Sequence, residues 1–420
     1  MAGPVGVYIS VPFCKAKCTF CNFASGVFGA ERMRQYVDRL CDEIRTSRVA
    51  AQKIAASLPR AVDLPRATDL PRVVDTIYFG GGTPSLLSAG QFRQIFQHLR
   101  GEFDVAGDAE ITLECAPGQL SSETLEELLQ QGMNRISFGV QSFVDRETAA
   151  VGRLHTRQEC EAELARVRAA GVHEINIDLI AGLPHQTAES WRYSVEQAIA
   201  SGAPHISVYM LEVDDESRLG REMLEKGTRY SASAVPSEDE TAEWYQQACT
   251  MLQAAGVNQY EISNFARPGH RSRHNLKYWR RQPYVGFGLD AHSMLLAGTY
   301  GVRFANTSDL DEYLGSDIGT APFRLLESGP NTAGAEVDII GREEAFEESL
   351  FLGLRLNEGV DLNHLRNQFG DAMLDDAMPG LLESRDAGLL ELNSDWMRLT
   401  AQGRLASNEV FSRLLIPSAA

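Results

Sequence analysis

The sequence predicts an α/β protein: a partial (β/α)6 barrel, open on one side, followed by a smaller, mainly helical domain. Strand and helix signals alternate six times between Val5 and Glu212, the order that builds a parallel sheet through right-handed crossovers. Six units fall short of the eight that close a barrel. Polar or glycine-rich residues recur at the carboxyl ends of the strand signals, where parallel barrels gather their reactive groups. After about Thr320 the alternation stops, and helical patterns bracket one short hairpin.

The first strand is the apolar run Val5–Val11, and it leads into a loop carrying Cys14, Cys18 and Cys21. Ala30 to about Ser57 spaces Met33, Tyr36, Val37, Leu40 and Ile44 as one face of a helix. A tandem hexapeptide follows, starting at Leu58, Leu64 and Leu70, with proline second in every copy. Proline at that frequency forbids a helix, and three copies are too few for a solenoid, so the stretch reads as an exposed, functionally neutral insertion. The second strand is Thr76–Phe79, closed by Gly80-Gly-Gly-Thr-Pro-Ser85, with a helix from about Ser88 to Leu99. The third, Glu110–Glu114, precedes a helix opening at Ser121. The fourth, Arg135–Val140, ends at Gln141 and precedes a helix over Arg157–Ala170. The fifth, Glu174–Leu179, is closed by Gly182-Leu-Pro184 and precedes a helix over Glu189–Ala200; the sixth, Ile206–Leu211, ends at Glu212.

These signals divide the chain into a barrel over 1–235, an extension of the barrel over 236–320, a proline- and glycine-rich linker over 321–342 and a terminal domain over 343–420. In that last stretch, helices and a hairpin turning at Asn393-Ser-Asp395 resemble a winged-helix module. The 420 residues, 44% of them hydrophobic, suffice for two cores. With 39 basic against 57 acidic residues the net charge is −18, which repels phosphate backbones and anionic lipid and argues against nucleic acid as a partner. The terminal domain is therefore expected to cover the barrel or meet a protein. No apolar stretch is long enough for a signal or a membrane span, and seven cysteines, an odd number, suit a reducing compartment. Both observations point to the cytoplasm. Cys41, Cys115, Cys160 and Cys249 are isolated and read as small buried hydrophobes.

Three cysteines within eight residues form a ligand pattern. Structural zinc wants four ligands, usually with a second Cys or His couple further on, and none follows. A 4Fe–4S cluster normally takes four cysteines, so three leave one iron open for chemistry. The glycines after the second strand expose bare amides that a small polar ligand can approach; they lack the lysine of a P-loop and the spacing of a dinucleotide fold, and a plain tight turn is the other reading. Glu212 reads equally as a site carboxylate and as a solvated one.

The C-x3-C-x2-C spacing, with an aromatic before the last cysteine, resembles the radical S-adenosylmethionine (SAM) superfamily, in which SAM chelates the open iron. Tyr8, Tyr78 to Ser85, Glu114-Cys-Ala-Pro117, Phe138-Gly-Val-Gln-Ser142, Gly152-Arg-Leu-His-Thr156 and Asn176 to Pro184 together resemble the oxygen-independent coproporphyrinogen III oxidase family over most of the chain. The resemblance implies a cluster held by Cys14, Cys18 and Cys21, and SAM contacts from Tyr8, Phe20, Gly81, Gly82, Thr83, Glu114, Gln141, Arg153 and Asp178. Carboxylates suit ribose hydroxyls, and Arg153 suits the ligand's carboxylate.

Oxidases of that family carry a further cysteine two residues past the third ligand and a sizeable extension before the cluster. Here the residue is Phe23, and thirteen residues precede Cys14. Both features resemble the HemW-type heme chaperone branch, which implies heme binding and delivery to acceptor hemoproteins of the respiratory type, membrane-bound ones among them; a homodimer is compatible with it. Oxidative decarboxylation of coproporphyrinogen III is the alternative activity. His274-Asn-Leu-Lys-Tyr278-Trp279 matches that branch's H-N-x-x-Y-W motif, associated with heme. An imidazole can ligate heme iron, and Tyr278 and Trp279 offer flat surfaces; alternatively the motif docks the second domain, with His274 satisfied by hydrogen bonds. Gly286 to Ser293 resembles the family's glycine-rich element, but Leu289-Asp290 stands in place of proline-glycine, leaving His292 open between ligand and structural turn.

Overall fold

The computed structural model describes residues 3–57, 70–315 and 337–414. The first two copies of the hexapeptide, and the linker as far as residue 336, lie outside the described residues.

Strands β1 (Val5–Val11), β2 (Val73–Gly81), β3 (Asp104–Cys115), β4 (Arg135–Gln141), β5 (Glu174–Ala181) and β6 (His205–Met210) lie side by side in that order, all parallel. The open six-unit barrel expected from the sequence is present. Every residue of β1 except Tyr8 is buried, because helices cover one face and the barrel interior the other; such strands read as continuous apolar runs rather than alternating ones. Ile9, Phe79, Leu113, Phe138, Ile177 and Val208 carry one core across the six strands, met by Phe92, Phe96, Trp191 and Val195 from the helices. Ser88, Thr156, Thr187 and Ser237 each cap a helix through a reciprocal pair of bonds with the residue three further on. Such caps contribute about 1 kcal/mol each and fix where each strand-end loop stops.

Two strands are longer than the sequence suggested. β2 starts at Val73 inside the last hexapeptide copy, and β3 starts at Asp104 rather than Glu110. Between Val74 and Thr76 their register shifts, a bulge that absorbs the surplus residues around Gly107-Asp108 and bends the pair without ending it.

The sheet also continues past both ends of the barrel, to twelve strands. Beyond β6 come β8 (Asn264–Ala266) and β7 (Asn258–Gln259). On the other side β9 (Tyr284–Phe287) runs parallel to β1, followed by antiparallel β10 (His292–Ala297), β11 (Tyr300–Ala305) and β12 (Val337–Ile340). The edge strands β12 and β7 do not pair, so the barrel stays open. β12 falls within the segment read as a linker: residues 337–340 are sheet, bonded to β11.

The C-terminal part runs from the helix Arg342–Leu354 through β13 (Val360–Asp361), the helices Leu362–Phe369 and Asp371–Asp386, and the hairpin β14 (Leu390–Leu392) and β15 (Trp396–Leu399) to two short helices. Its three strands form a separate sheet, and Phe346, Leu350, Leu354, Phe369, Leu381 and Met397 form its own core. That order of helices and hairpin is the winged-helix one. The Asn393 side chain closes the hairpin turn by accepting from the backbone of Asp395 and Trp396, both at 2.9 Å. Arg271 and Arg280 pair with Glu358 at 3.2 and 2.8 Å, and buried Arg281 pairs with Glu348 at 2.8 Å, tying this part to the barrel side. Among the described residues no helix is long and apolar enough to cross a membrane.

Candidate functional site

The cysteine loop leaves β1 at the barrel mouth and is stitched down on every side. Cys14 donates its backbone N–H to the Gly26 carbonyl at 2.8 Å, Thr19 donates to Val151 at 3.1 Å, Leu219 donates to Thr19 at 2.9 Å, and Lys17 reaches the Phe23 carbonyl at 2.9 Å. Phe20 packs into a small apolar cluster with Val151, Ile180 and Leu183, so it anchors the loop from below. Cys14, Cys18 and Cys21 are free thiols and half-exposed, whereas Cys41, Cys115 and Cys160 are buried and Cys249 is half-buried. Burial above all, with Cys18 and Cys14 adding, pushes the Cys21 thiol up, while a hydrogen bond at Phe23 pulls it down. Among the described residues no three His, Cys, Asp or Glu side chains are drawn together around a single ion. Three uncommitted thiols on one loop are donors of the chemistry an iron centre takes, and such a centre would have to draw them together on binding.

Opposite this loop the ends of β2 to β5 bring the other expected residues together. Gly82 and Thr83 donate to the carbonyls of Val11 and Phe13 at 2.9 and 2.7 Å. A side chain at Gly82 would meet Val11 and Phe13 backbone atoms at 2.7–2.9 Å, and Gly81 has φ of 101°; only glycine lets the two loops pass this closely. Tyr78 donates to Glu114 at 2.9 Å. Burial chiefly, then the charge of Asp178, raises Glu114 to about 7 against the pull of Tyr78, Gly81 and Arg153. Asp178 accepts from Asn176 at 2.7 Å and Ser137 at 3.2 Å, yet burial still raises it. Gln141 ends β4 with φ of 69°, a state that non-glycine residues seldom take and that clusters at functional sites. Arg153 points Nη1 at the Cys18 sulfur, 3.6 Å away, bonds the Gly139 carbonyl, and leaves its buried Nε without a partner. An unpaired buried guanidinium N–H beside half-exposed thiols suits a carboxylate ligand. Glu212 is exposed beyond β6, a solvated carboxylate.

A cavity of about 500 Å³ opens here, lined by Tyr8, Gly81, Gly82 and Glu114 on one wall and Tyr278, Trp279 and Tyr284 on another, with Phe23 and His292 at its border. The helix Arg273–Trp279 supplies Tyr278 and Trp279. Its N-terminus is fixed by the Glu110 carboxylate, which accepts from the backbone of His274 at 2.9 Å and Arg273 at 3.0 Å, as helix dipoles favour. His274 itself does not face the cavity. Its ring is 1% exposed, with Nδ1 2.9 Å from Thr76 Oγ1 and Nε2 2.8 Å from the Tyr278 hydroxyl. Burial, then Lys277, pushes it down to about 3. Both ring nitrogens are thus engaged away from the cavity, one of them with the Tyr278 hydroxyl.

The Radical SAM superfamily model matches residues 8–198 and the HemN C-terminal domain model residues 340–406. "Heme chaperone HemW" of Bacillus subtilis is 32% identical over 97% of this chain and 98% of its own length. The chain belongs to the HemW heme chaperone family. The HemW of Escherichia coli K12 is 33% identical over 69% of this chain and 70% of its own. Among solved structures, the coproporphyrinogen III oxidase HemN of Escherichia coli superposes with a TM-score of 0.75 at 22% identity, over 98% of this chain and 90% of its own, which shows the shared radical SAM fold.

Within this HemW family member, two site features were not singled out from the sequence. Trp279 has a buried indole N–H without a partner, with the Arg355 guanidinium 4.3 Å above its ring. Tyr8, Tyr78 and His274 form an aromatic row at centroid spacings of 6.1 and 5.2 Å, with Glu114 bonded to its middle ring and Tyr278 to its last. The tyrosine spacing on β1 and β2 was readable; the helix that completes the row comes from almost two hundred residues later.

Proposed function

We propose that the protein is a heme chaperone: it binds heme together with a SAM-ligated 4Fe–4S cluster and hands the heme to acceptor hemoproteins in the cytoplasm, including membrane-bound respiratory ones. The observation that carries this reading is the single cavity faced by both the glycine ledge and the aromatic wall. On the neighbouring loops and strand ends Cys14, Cys18 and Cys21 would hold the cluster, Gly81 to Thr83 and Arg153 would receive the amino-acid end of SAM, and Glu114, which lines the cavity, would with Asp178 receive its ribose. When bound, the cluster and SAM supply one-electron chemistry. Tyr278, Trp279 and Tyr284 supply the apolar surface for a porphyrin, and its volume lies within the roughly 300–1,000 Å³ of small-molecule sites. Phe23, 62% exposed, stands where oxidases of the wider family carry a cysteine, and a phenyl ring has no thiol chemistry to offer.

Anaerobic reconstitution, followed by hemin titration, transfer to an apo-hemoprotein and coproporphyrinogen III turnover in parallel, tests it. Stoichiometric hemin binding and transfer without decarboxylation are expected. Conversion of coproporphyrinogen to protoporphyrinogen would replace this reading with the oxidase one.

A further inference from the structure

We infer that His292 is the side chain that grips the iron of the heme cargo, with Tyr278, Trp279 and Phe23 bordering the porphyrin. This rests on the chaperone reading above and names the ligand that His274 cannot supply.

The chain has nine histidines. His98, His155, His185, His205, His270 and His274 commit ring nitrogens to hydrogen bonds. Among the described residues the rings of His173, His292 and His364 make none, and of these three His292 alone lines the cavity. Its ring is exposed, so a lone pair is available without breaking anything.

His292 is also rigidly presented. It opens β10 after a loop in which Leu289 donates to the Tyr36 hydroxyl at 2.9 Å, Asp290 donates to the Thr307 carbonyl at 3.0 Å, and Asn306 donates to the Ala291 carbonyl at 3.0 Å. Glu43 fixes the same loop by accepting from the Gly288 backbone at 3.1 Å and the Asn306 side chain at 2.7 Å. A side chain at Gly286 would sit 2.3 Å from the His292 carbonyl, so glycine is what lets β9 approach this closely. A ligand on a fixed strand end holds its geometry better than one on a free loop.

The chemistry around it is consistent. Neutral imidazole is a common axial ligand of heme iron. Asp290 lies close enough for its charge to feel His292, and metal-bound histidines commonly give their other N–H to a carboxylate. The phenols facing the cavity are poorer candidates, because burial pushes Tyr8, Tyr278 and Tyr284 up, away from the phenolate that would bind iron.

The test is hemin titration of the full-length, cluster-reconstituted protein, read by absorption and electron paramagnetic resonance. The unaltered protein should give an imidazole-ligated spectrum. H292A should lose it and release hemin at least about tenfold more readily, with cluster iron and sulfide unchanged, and added imidazole should restore the spectrum to H292G. H274A should keep the imidazole signature. An unchanged spectrum in H292A, or loss of the signature in H274A alone, overturns the assignment while leaving the chaperone reading in place. Absence of hemin binding by the unaltered protein overturns both.

Discussion

Glu114 is a buried carboxylate whose charge the fold controls. Its value of about 7 in the folded chain lies above the ordinary one near about 4.3, so between the two the native state holds a proton that the unfolded state has lost. Without ligand, this group's contribution to stability is full below the lower value and falls as pH rises toward about 7. Glu114→Gln should therefore flatten that part of the stability profile and stabilise the unliganded protein by roughly 1–3 kcal/mol above neutral pH, measured by thermal unfolding; an unaltered slope would mean that the carboxyl is not held neutral. At the same scale, alanine at Cys14, Cys18 or Cys21 should abolish the cluster absorbance, while Cys41→Ala, at a buried position in a helix, should keep it. An intact cluster in Cys18→Ala would refute the ligand set. The placement of the cysteine triplet on the loop after β1, and of Glu114 and Asp178 on β3 and β5, was legible in the sequence because spacing and position there are local; Glu212, exposed beyond β6, shows that a carboxylate near a strand end is not by itself a site residue. The fate of His274 was not legible: it depends on Thr76 and Tyr278 closing over both ring nitrogens, and only the packing of a distant helix against β2 decides that.

At the scale of elements, the glycine turn after β2 and the cysteine loop after β1 are one unit, since Gly82 passes between backbone atoms of Val11 and Phe13. Gly82→Ala should push the cysteine loop out of place and cost most of the cluster loading, whereas Gly101→Ala, in open space at the end of a helix, should not; iron and sulfide analysis after anaerobic reconstitution separates the two. Equal loading in both would show that the close approach is dispensable. The six barrel strands were legible because each carries a short apolar or alternating run that a turn or loop closes. The six added strands were harder to see: β7 and β8 span two and three residues, too short for any period to register. In the β10–β11 hairpin around Gly298-Thr299 only Tyr300–Ala305 alternates, while Met294-Leu-Leu296 is an unbroken apolar run that no strand period marks.

In the whole molecule the winged-helix-like part is joined to the barrel at the helix that carries Tyr278 and Trp279, through Arg355 over the indole and Glu358 on Arg271 and Arg280. Arg355→Ala should weaken that seam by about 1 kcal/mol and shift Trp279 fluorescence, with cluster content unchanged; an unmoved emission would show that the two parts do not meet there in solution. The helix-and-hairpin order was readable from the sequence, but its docking was not, because the pairing charges lie some eighty residues apart. The cavity at the barrel mouth has a last consequence. Gly82 and Glu114 line the same cavity as Tyr278, with His292 at its border, so a ligand on one side leaves less room for a ligand on the other. Such coupling is reciprocal: the factor by which SAM changes the hold on hemin is the factor by which hemin changes the hold on SAM. Hemin release measured with and without SAM reads that factor directly. If that factor differs from one, the arrival or departure of the small cofactor would itself unload the carrier, with no lid required.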